Sequence, residues 1–214
     1  LLKMRNLMRE KDISENPHFE YFKAIFEYFD IEPSEFSIKM NEDYGLSIYL
    51  SDKKGKARNI RSFGYGYRKL ITLDVEIVLI AQETCEFDYK NGHVYKPTLI
   101  LVEEPESNLH PDFQSKLADA FLYAAQNFNM QFIIETHSEY LVRKFQYLTA
   151  TKKDLEEGDI LIHYFNKIKE NDSQKTKCIS IKKSGALSEE FGSGFYDEAI
   201  NLKFELLKLK NNQK

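Results

Sequence analysis

The segment TLILVEEPESNLHP (residues 98–111) combines residue types that could carry out phosphoryl-transfer chemistry, because an apolar run ends in two adjacent glutamates. Successive residues of a strand point to opposite faces, so Glu103 and Glu104 would have different roles. One carboxylate at a strand end can hold Mg²⁺, and another can orient or deprotonate an attacking water. The segment FIIETHSEYLV places His137 after a second apolar run, where an imidazole could contact a γ-phosphate. A divalent cation and a triphosphate sharing the site would make the adjacent like charges tolerable.

Each of these residues also has a plainer interpretation. Acidic strand ends are common, so the two glutamates alone are equally compatible with a solvated turn. Ser107 and Asn108 are ordinary turn residues, and a single histidine such as His137 is more often a polar residue at the start of a helix than a catalyst. The hypothesis of a catalytic site therefore depends on the order of these pieces along the chain.

The surrounding pattern predicts a β-α-β unit that would bring these residues together. Its parts are a strand over 98–103, a helix from about Pro111 to Asn127 and a strand over 131–135. Pro111 suits a first helical position, and six residues fall on one helical face: Phe113, Leu117, Ala120, Phe121, Ala124 and Phe128. Both strands are continuous apolar runs, which is typical of parallel strands covered on two faces. Parallel strands share a carboxyl edge, so Glu103, Glu104 and His137 should converge there, with Ser138 capping the next helix.

The remaining patterns predict an α/β fold in three parts. Residues 1–61 should contain a helical pair and an antiparallel meander. Residues 62–150 should form the α/β core, with the loop SFGYGY followed by a largely buried helix from Arg68 to about Phe87. Residues 151–214 should contain two strands, ILIHYF and KCISIKK, and an amphipathic helix over roughly 196–210.

Composition narrows the function less than the motifs do. The chain has 214 residues, of which 42% are hydrophobic, as expected for a globular domain with its own core. Its net charge of −4 neither requires nor excludes binding to nucleic acid. No apolar run approaches the roughly 20 residues that span a bilayer, so we expect a cytoplasmic protein without a membrane partner. Cys85 and Cys178 predict reduced thiols, and the scattered histidines lack the spacing of a zinc site.

The two motifs in this order resemble the second half of the ABC-type ATPases of the OLD (overcoming lysogenization defect) and SMC/RecF-like group. LILVEEPESNLHP is similar to a Walker B strand running into a D-loop, and FIIETHSEYLV to the switch-histidine segment. SFGYGYRKL occupies the place of the ABC signature loop. FGSGFYDEAINL is similar to the C-terminal region that follows such ATPase domains in many bacterial proteins. The resemblance covers roughly residues 60–210 and implies a P-loop NTPase fold.

The resemblance also implies roles for individual residues. Glu103 would replace the usual Walker B aspartate as the Mg²⁺-associated carboxylate, Glu104 would be the catalytic base for water, and His137 would contact the γ-phosphate. The D-loop, formed by Ser107, Asn108 and Leu109, would touch the opposite subunit. In the signature-like loop the candidate nucleotide-binding residues are Ser62, Gly64 and Gly66.

The chain departs from the family pattern in two ways. No G-x-x-x-x-G-K-[ST] motif occurs in the sequence, so the loop that cradles phosphates is absent. This loop precedes the signature in ABC ATPases, and the sequence starts without a methionine, so we expect an N-terminal half to lie outside these residues. Gly66 and Tyr67 stand where these families usually have serine and glutamine, so the contact of this loop with a γ-phosphate across the dimer would be weak or rebuilt.

The resulting hypothesis is an ATP-binding and hydrolysing ABC-type ATPase that uses Mg²⁺ and forms a homodimer around ATP. The same resemblance implies a DNA-linked or phage-defence role, with DNA or a partner nuclease as possible partners. The alternative is a non-hydrolysing, ATPase-like module that binds a protein partner. The missing phosphate loop and altered signature favour the alternative, whereas Glu104 and His137 oppose it.

Overall fold

The computed structural model describes residues 17–28, 36–40, 46–51, 57–165, 176–192 and 196–211. The chain divides into two compact units, residues 1–141 and 142–214, which are considered separately. The first half of the predicted N-terminal helical pair lies outside the described residues. The division into three parts at residues 61 and 150 stays a prediction.

The described part of the first unit alternates helices with short strands. Its elements are α1 (Pro17–Tyr28), β1 (Phe36–Met40), β2 (Leu46–Ser51), β3 (Ala57–Asn59), a 3-10 helix (Ile60–Ser62), α2 (Tyr65–Thr84), β4 (Cys85–Asp88), β5 (Gly92–Tyr95), β6 (Thr98–Glu103), α3 (Pro111–Phe128) and β7 (Met130–Glu135). Helix α4 (Glu139–Thr151) spans the boundary, and the second unit contains β8 (Leu161–Phe165), β9 (Thr176–Ser180) and α5 (Glu198–Asn211).

The predicted β-α-β unit is confirmed as β6–α3–β7. The two strands pair in parallel, from Thr98 opposite Met130 to Glu103 opposite Glu135. Pro111 opens α3, and the helix ends at Asn129, whose left-handed backbone stops it. This parallel pair with its helices confirms the α/β fold class.

The antiparallel meander of β1, β2 and β3 is also confirmed, but the helix that follows has different bounds. Helix α2 begins at Tyr65, three residues before the predicted start, because Gly64 caps it. It ends at Thr84, and Cys85–Phe87, predicted as helix, instead form strand β4. These residues pair with β5 across the Asn91-Gly92 turn, so a hairpin partner overrides the local helical pattern.

The core of the first unit lies between α1, α2 and α3. The largest fully buried side chains of these helices are Tyr21, Phe26, Phe121, Phe128, Ile25, Leu70, Ile71, Ile77 and Leu117. A carboxyl group lies inside this apolar core, because Asp74 is fully buried and its Oδ1 is 3.4 Å from the Tyr21 hydroxyl that donates to it. Burial raises the pKa of Asp74 to about 8.

The β6–β7 pair is covered on one face and exposed on the other. On the covered face, Phe132 packs against Phe121 of α3 with ring centroids 5.0 Å apart. On the other face Leu99, Leu101 and Ile133 are 53%, 72% and 53% exposed. The expectation of cover on both faces is therefore met on one face within the described residues.

The second unit contains the predicted pair of C-terminal strands, since β8 and β9 run antiparallel. The predicted terminal helix is observed as α5, two residues shorter at its start. Five of its apolar side chains are exposed and fall on two sides of the helix instead of one: Leu202, Leu206 and Leu209 on one side, Phe204 and Leu207 on the other. Among the described helices, none combines the length and apolarity needed to cross a bilayer.

Candidate functional site

Three side chains that could bind a cation or activate water meet at the carboxyl edge of β6 and β7. One donor atom each from Glu104, Glu135 and His137 lies within 4.8 Å of the other two. The His137 Nε2 atom is 3.3 Å from Glu135 Oε1 and 3.9 Å from Glu104 Oε1. All three side chains are more than half exposed, so a ligand could reach them. The structure thus brings together two predicted catalytic residues and adds a third.

Glu104 reaches this group because the chain turns sharply after β6. Its backbone is left-handed, with φ of 41°, a conformation that costs a residue with a side chain about 1–2 kcal/mol. The Glu104 N–H donates to the Glu135 carbonyl oxygen at 2.9 Å, and the Glu104 carbonyl accepts from the Ser107 N–H at 3.1 Å and from Lys69 Nζ. Local strain held by surrounding bonds is typical of functional positions.

Glu103 is the last residue of β6, and its carboxylate is not one of the three donor groups that lie within 4.8 Å of one another. It is opposite Glu135 in register, on the same exposed face as Leu101, because side chains alternate along β6. Its assignment as the Mg²⁺-associated carboxylate stays a prediction. Glu104 and Glu135 also offer carboxylate oxygens, the ligand type that Mg²⁺ prefers, and their exposure leaves room for the waters that Mg²⁺ retains. The residues at this edge therefore fit a magnesium ion.

Residues 104–109, which include the predicted D-loop residues Ser107, Asn108 and Leu109, form two overlapping turns. The Ser107 N–H donates to the Glu104 carbonyl, and the Leu109 N–H donates to the Glu106 carbonyl at 3.0 Å. Ser107 Oγ accepts a hydrogen bond from Lys69 Nζ of α2. Asn108 is exposed and left-handed, with φ of 64°, whereas Leu109 is buried. The loop thus presents Asn108 outward while its other residues are held.

The three candidate residues of the signature-like loop differ in their surroundings. Ser62 is exposed, and its Oγ donates to the Asn59 carbonyl at 2.8 Å. Gly64 is exposed at the start of α2, where a Cβ would meet no atom within 4 Å, so a phosphate could approach this helix terminus. Gly66 is buried, and a Cβ there would collide with the Asn108 carbonyl. The predicted phosphate contact of Gly66 stays a prediction, and its observed neighbour indicates a packing role.

The other departure from the family pattern, Tyr67, is also occupied by packing. Its ring is stacked on Phe63 with centroids 5.4 Å apart and lies 6.4 Å from the Phe113 ring of α3. The Tyr67 ring therefore contributes to the contact between α2 and the start of α3.

Three residues near the site were not singled out from the sequence. Glu135 could have been found, because it ends β7 as Glu103 ends β6, and two acidic strand ends in a parallel pair must be neighbours. Glu106 and Lys69 carried no such signal. Glu106 looked like one more acidic loop residue, yet it is only 7% exposed and accepts the His137 N–H. Lys69 lies in the predicted helix, where its residue type alone gives no sign of a contact with the loop after β6.

Two protein families match this chain. The model of the AAA ATPase domain matches residues 4–142, and a family described as a protein of unknown function (DUF3696) matches residues 155–206. No curated protein sequence matches the chain.

Two solved structures with some similarity concern SMC proteins. One comes from work on the structural biochemistry of ATP-driven dimerization and DNA-stimulated activation of SMC ATPases, with 14% identity and a TM-score of 0.45 over 87% of this chain and 86% of the other. The second is an Smc head bound to the C-winged helix domain of ScpA, with 16% identity and a TM-score of 0.43 over 76% of this chain and 41% of the other. These likenesses are too weak to assign a function. The family assignment rests on the first family match, which covers well over half of the residues: the chain belongs to the AAA ATPase domain family, whose members share a P-loop NTPase fold and bind and hydrolyse ATP.

Proposed function

We propose that this chain supplies the Walker B, D-loop and switch-histidine part of an ABC-type ATPase of the OLD and SMC/RecF-like group. The observation that carries the proposal is the meeting of Glu104, Glu135 and His137 at the carboxyl edge of a parallel strand pair. Ligands of open α/β sheets bind at this edge. A carboxylate and an imidazole placed there can act on a terminal phosphate.

The proposed roles follow from the positions of the side chains. Glu104 orients and deprotonates the attacking water, because the turn after β6 directs its carboxylate towards His137. His137 contacts the γ-phosphate, and Glu135, 3.3 Å away, limits the positions that its imidazole can take. Bound Mg²⁺ would neutralise charge on the phosphates, with Glu103 or Glu135 as its nearest carboxylate. Ser62, Gly64, Ser107 and Asn108 would approach nucleotide from the partner subunit of a homodimer.

The phosphate-binding loop must come from polypeptide outside these 214 residues, because the sequence contains no such motif. The exposed face of β6 and β7 is the surface that this polypeptide would cover, since parallel sheets are buried on both faces. That face carries Leu99, Leu101 and Ile133 and ends at Glu103 and Glu135. A phosphate loop docked there would hold the triphosphate beside the carboxylates.

ATP hydrolysis would open the dimer and so change the arrangement of attached elements. By the resemblance of its motifs, the protein would act in the cytoplasm on DNA or with a partner nuclease, in DNA maintenance or phage defence. A non-hydrolysing module that binds a protein partner is the second candidate. The packing of Gly66 and Tyr67 favours this second candidate. Gly66 lies against the Asn108 carbonyl and Tyr67 stacks on Phe63, whereas the resemblance implies nucleotide contacts at these two positions.

Calorimetry with ATP and Mg²⁺ tests the need for a separate phosphate loop. We expect no binding by the present chain and binding by the same chain extended upstream through the phosphate loop. In the extended protein, Glu104→Gln should slow hydrolysis by about 100-fold or more, the usual contribution of a general base, and should accumulate an ATP-bound dimer. The control is Asp112→Asn, which neutralises an exposed carboxylate of α3 outside the site. If neither the extended wild type nor the control hydrolyses ATP, and Glu104→Gln forms no additional dimer, the second candidate is favoured. If Glu104→Gln hydrolyses ATP as fast as an active control, Glu104 is not the base and its proposed role is wrong.

A further inference from the structure

We propose that Glu106 is a positioning residue that ties the backbone of His137 to the D-loop. Its effect on hydrolysis rests on the proposed function, whereas the tie itself can be tested in the chain alone. Because the His137 side chain is 73% exposed, little packing holds the imidazole, and its position depends on where the backbone places it. The bond that holds this backbone therefore sets the position of the imidazole together with Glu135, whose carboxylate lies 3.3 Å from Nε2.

Glu106 makes that bond from a buried position. Its Oε1 accepts the His137 N–H at 2.7 Å, in the length range of bonds to a charged acceptor. The carboxylate is 7% exposed, and no hydrogen-bond partner of its buried Oε2 is found among the described residues. Burying a carboxylate with one oxygen unpaired costs free energy. A carboxylate that pointed into solvent from this loop would not have this cost. The hydrogen bond from the His137 N–H offsets part of this cost.

A second tie joins the same two segments through α3. Gln114 Nε2 donates to the Leu109 carbonyl at 3.0 Å, and Gln114 Oε1 accepts from Ser138 Oγ at 2.7 Å. Ser138 Oγ in turn accepts the Leu141 N–H at 3.1 Å, which caps α4 as predicted. The end of the D-loop and the start of α4 are thus bonded to one side chain.

The D-loop is also held against α2, which carries the signature-like loop. Lys69 Nζ donates to the Glu104 carbonyl and to Ser107 Oγ, and Gly66 packs directly on the Asn108 carbonyl. A displacement at the start of α2 must therefore move the D-loop. Through Glu106, the D-loop would carry His137 with it.

Amide hydrogen exchange tests the tie in this chain without nucleotide. In Glu106→Ala, the His137 N–H loses its acceptor and should exchange about tenfold faster or more, the change expected for a lost charge-assisted bond. Glu106→Asp keeps the charge but withdraws the carboxylate by about one bond length, about 1.5 Å, so it should also speed exchange and serves if the alanine variant does not fold. Glu106→Gln retains an acceptor and should stay closer to wild type, and Asp112→Asn should be unchanged. Exchange at the wild-type rate in folded Glu106→Ala or Glu106→Asp would overturn the proposal.

Steady-state kinetics of the protein that includes the phosphate loop test the consequence. We expect Glu106→Ala to lower kcat by about tenfold with little change in KM, because nucleotide affinity resides mainly in the phosphate loop, and Glu106→Gln to restore most of the rate. His137→Ala should lower kcat by a smaller factor in the Glu106→Ala variant than in the wild type, because Glu106 acts through His137. If Glu104→Gln and His137→Ala abolish hydrolysis but Glu106→Ala does not slow it, the inference about Glu106 fails alone. If Glu104→Gln and His137→Ala leave hydrolysis unchanged, the proposed function fails, and amide exchange then decides whether Glu106 holds His137.

Discussion

The buried carboxyl group of Asp74 should make the stability of this protein fall as the pH rises. The side chain is fully buried in α2, accepts one hydrogen bond from Tyr21 at 3.4 Å, and leaves Oδ2 without a partner among the described residues. Burial raises its pKa from the ordinary value of 3.8 to about 8. Asp74→Asn replaces the group with a near-isosteric amide that resembles the protonated acid and cannot ionise.

The expected magnitude follows from proton linkage. The folded state binds the proton more tightly than the unfolded state, so the stabilisation is complete below pH 3.8 and is lost as the pH rises towards 8. Between pH 5 and pH 7 the folded protein retains nearly one proton that the unfolded chain has released. Each pH unit then removes about 1.4 kcal/mol, or about 3 kcal/mol over the interval. Asp74→Asn should lack this loss, resemble the wild type near pH 4 and be the more stable protein at pH 7.

Urea unfolding at pH 5, 6 and 7 measures this difference directly. The control is Glu76→Gln, which neutralises an exposed carboxylate on the same helix and should leave the pH dependence of the wild type intact. At each pH, the unfolding free energy of the wild type is subtracted from that of Asp74→Asn. This difference should grow from pH 5 to pH 7. If that difference stays constant from pH 5 to pH 7, Asp74 does not hold a proton in the folded state and the reasoning is refuted.

Three further predictions concern the contacts around the site. Gly66→Ala should lower the free energy of unfolding in urea by about 1–3 kcal/mol, because its methyl group would collide with the Asn108 carbonyl. The methyl group of Gly64→Ala would point into open space, so this variant should lose less than about 1 kcal/mol, and equal losses would contradict the packing role of Gly66. Lys69→Met should lower stability by about 1 kcal/mol and slow phosphate release by the protein with its phosphate loop, and an unchanged rate would argue against a role in holding the D-loop. Leu101→Ser should change the free energy of unfolding of this chain by less than about 0.5 kcal/mol, because Leu101 is exposed. In the protein that includes the phosphate-loop polypeptide the same change should cost about 2 kcal/mol, and a small effect there would show that this polypeptide does not cover the strand face.

The β6–α3–β7 unit could be predicted because several local signals agree there. Two apolar runs of strand length flank a helical apolar stripe, and Pro111 opens the helix. Once two parallel strands are inferred, their carboxyl ends must be neighbours. The convergence of Glu104 and His137 therefore followed from topology, without knowledge of any side-chain contact.

Features that depend on pairing or on backbone turns could not be predicted in this way. Cys85–Phe87 continue an apolar helical pattern, and only their partners in β5 make them a strand. Glu106 is buried in a loop whose backbone is left-handed at Glu104 and at Asn108. A positive φ at Glu104 cannot be predicted from its residue type, because this conformation is rare outside glycine, asparagine and aspartate.

Gly66 shows why a departure from a family pattern need not mean loss of function. As a signature position it lacks the expected serine, which favours a degenerate site. In the structure, the space of its missing side chain is filled by the Asn108 carbonyl, and the neighbouring Lys69 holds both turns of the D-loop. A serine at position 66 would push this loop away from α2 and would displace the turn that strains Glu104. The glycine thus allows close contact between the signature-like loop and the loop that begins at Glu104, so the absence of a serine at position 66 is compatible with the proposed ATPase.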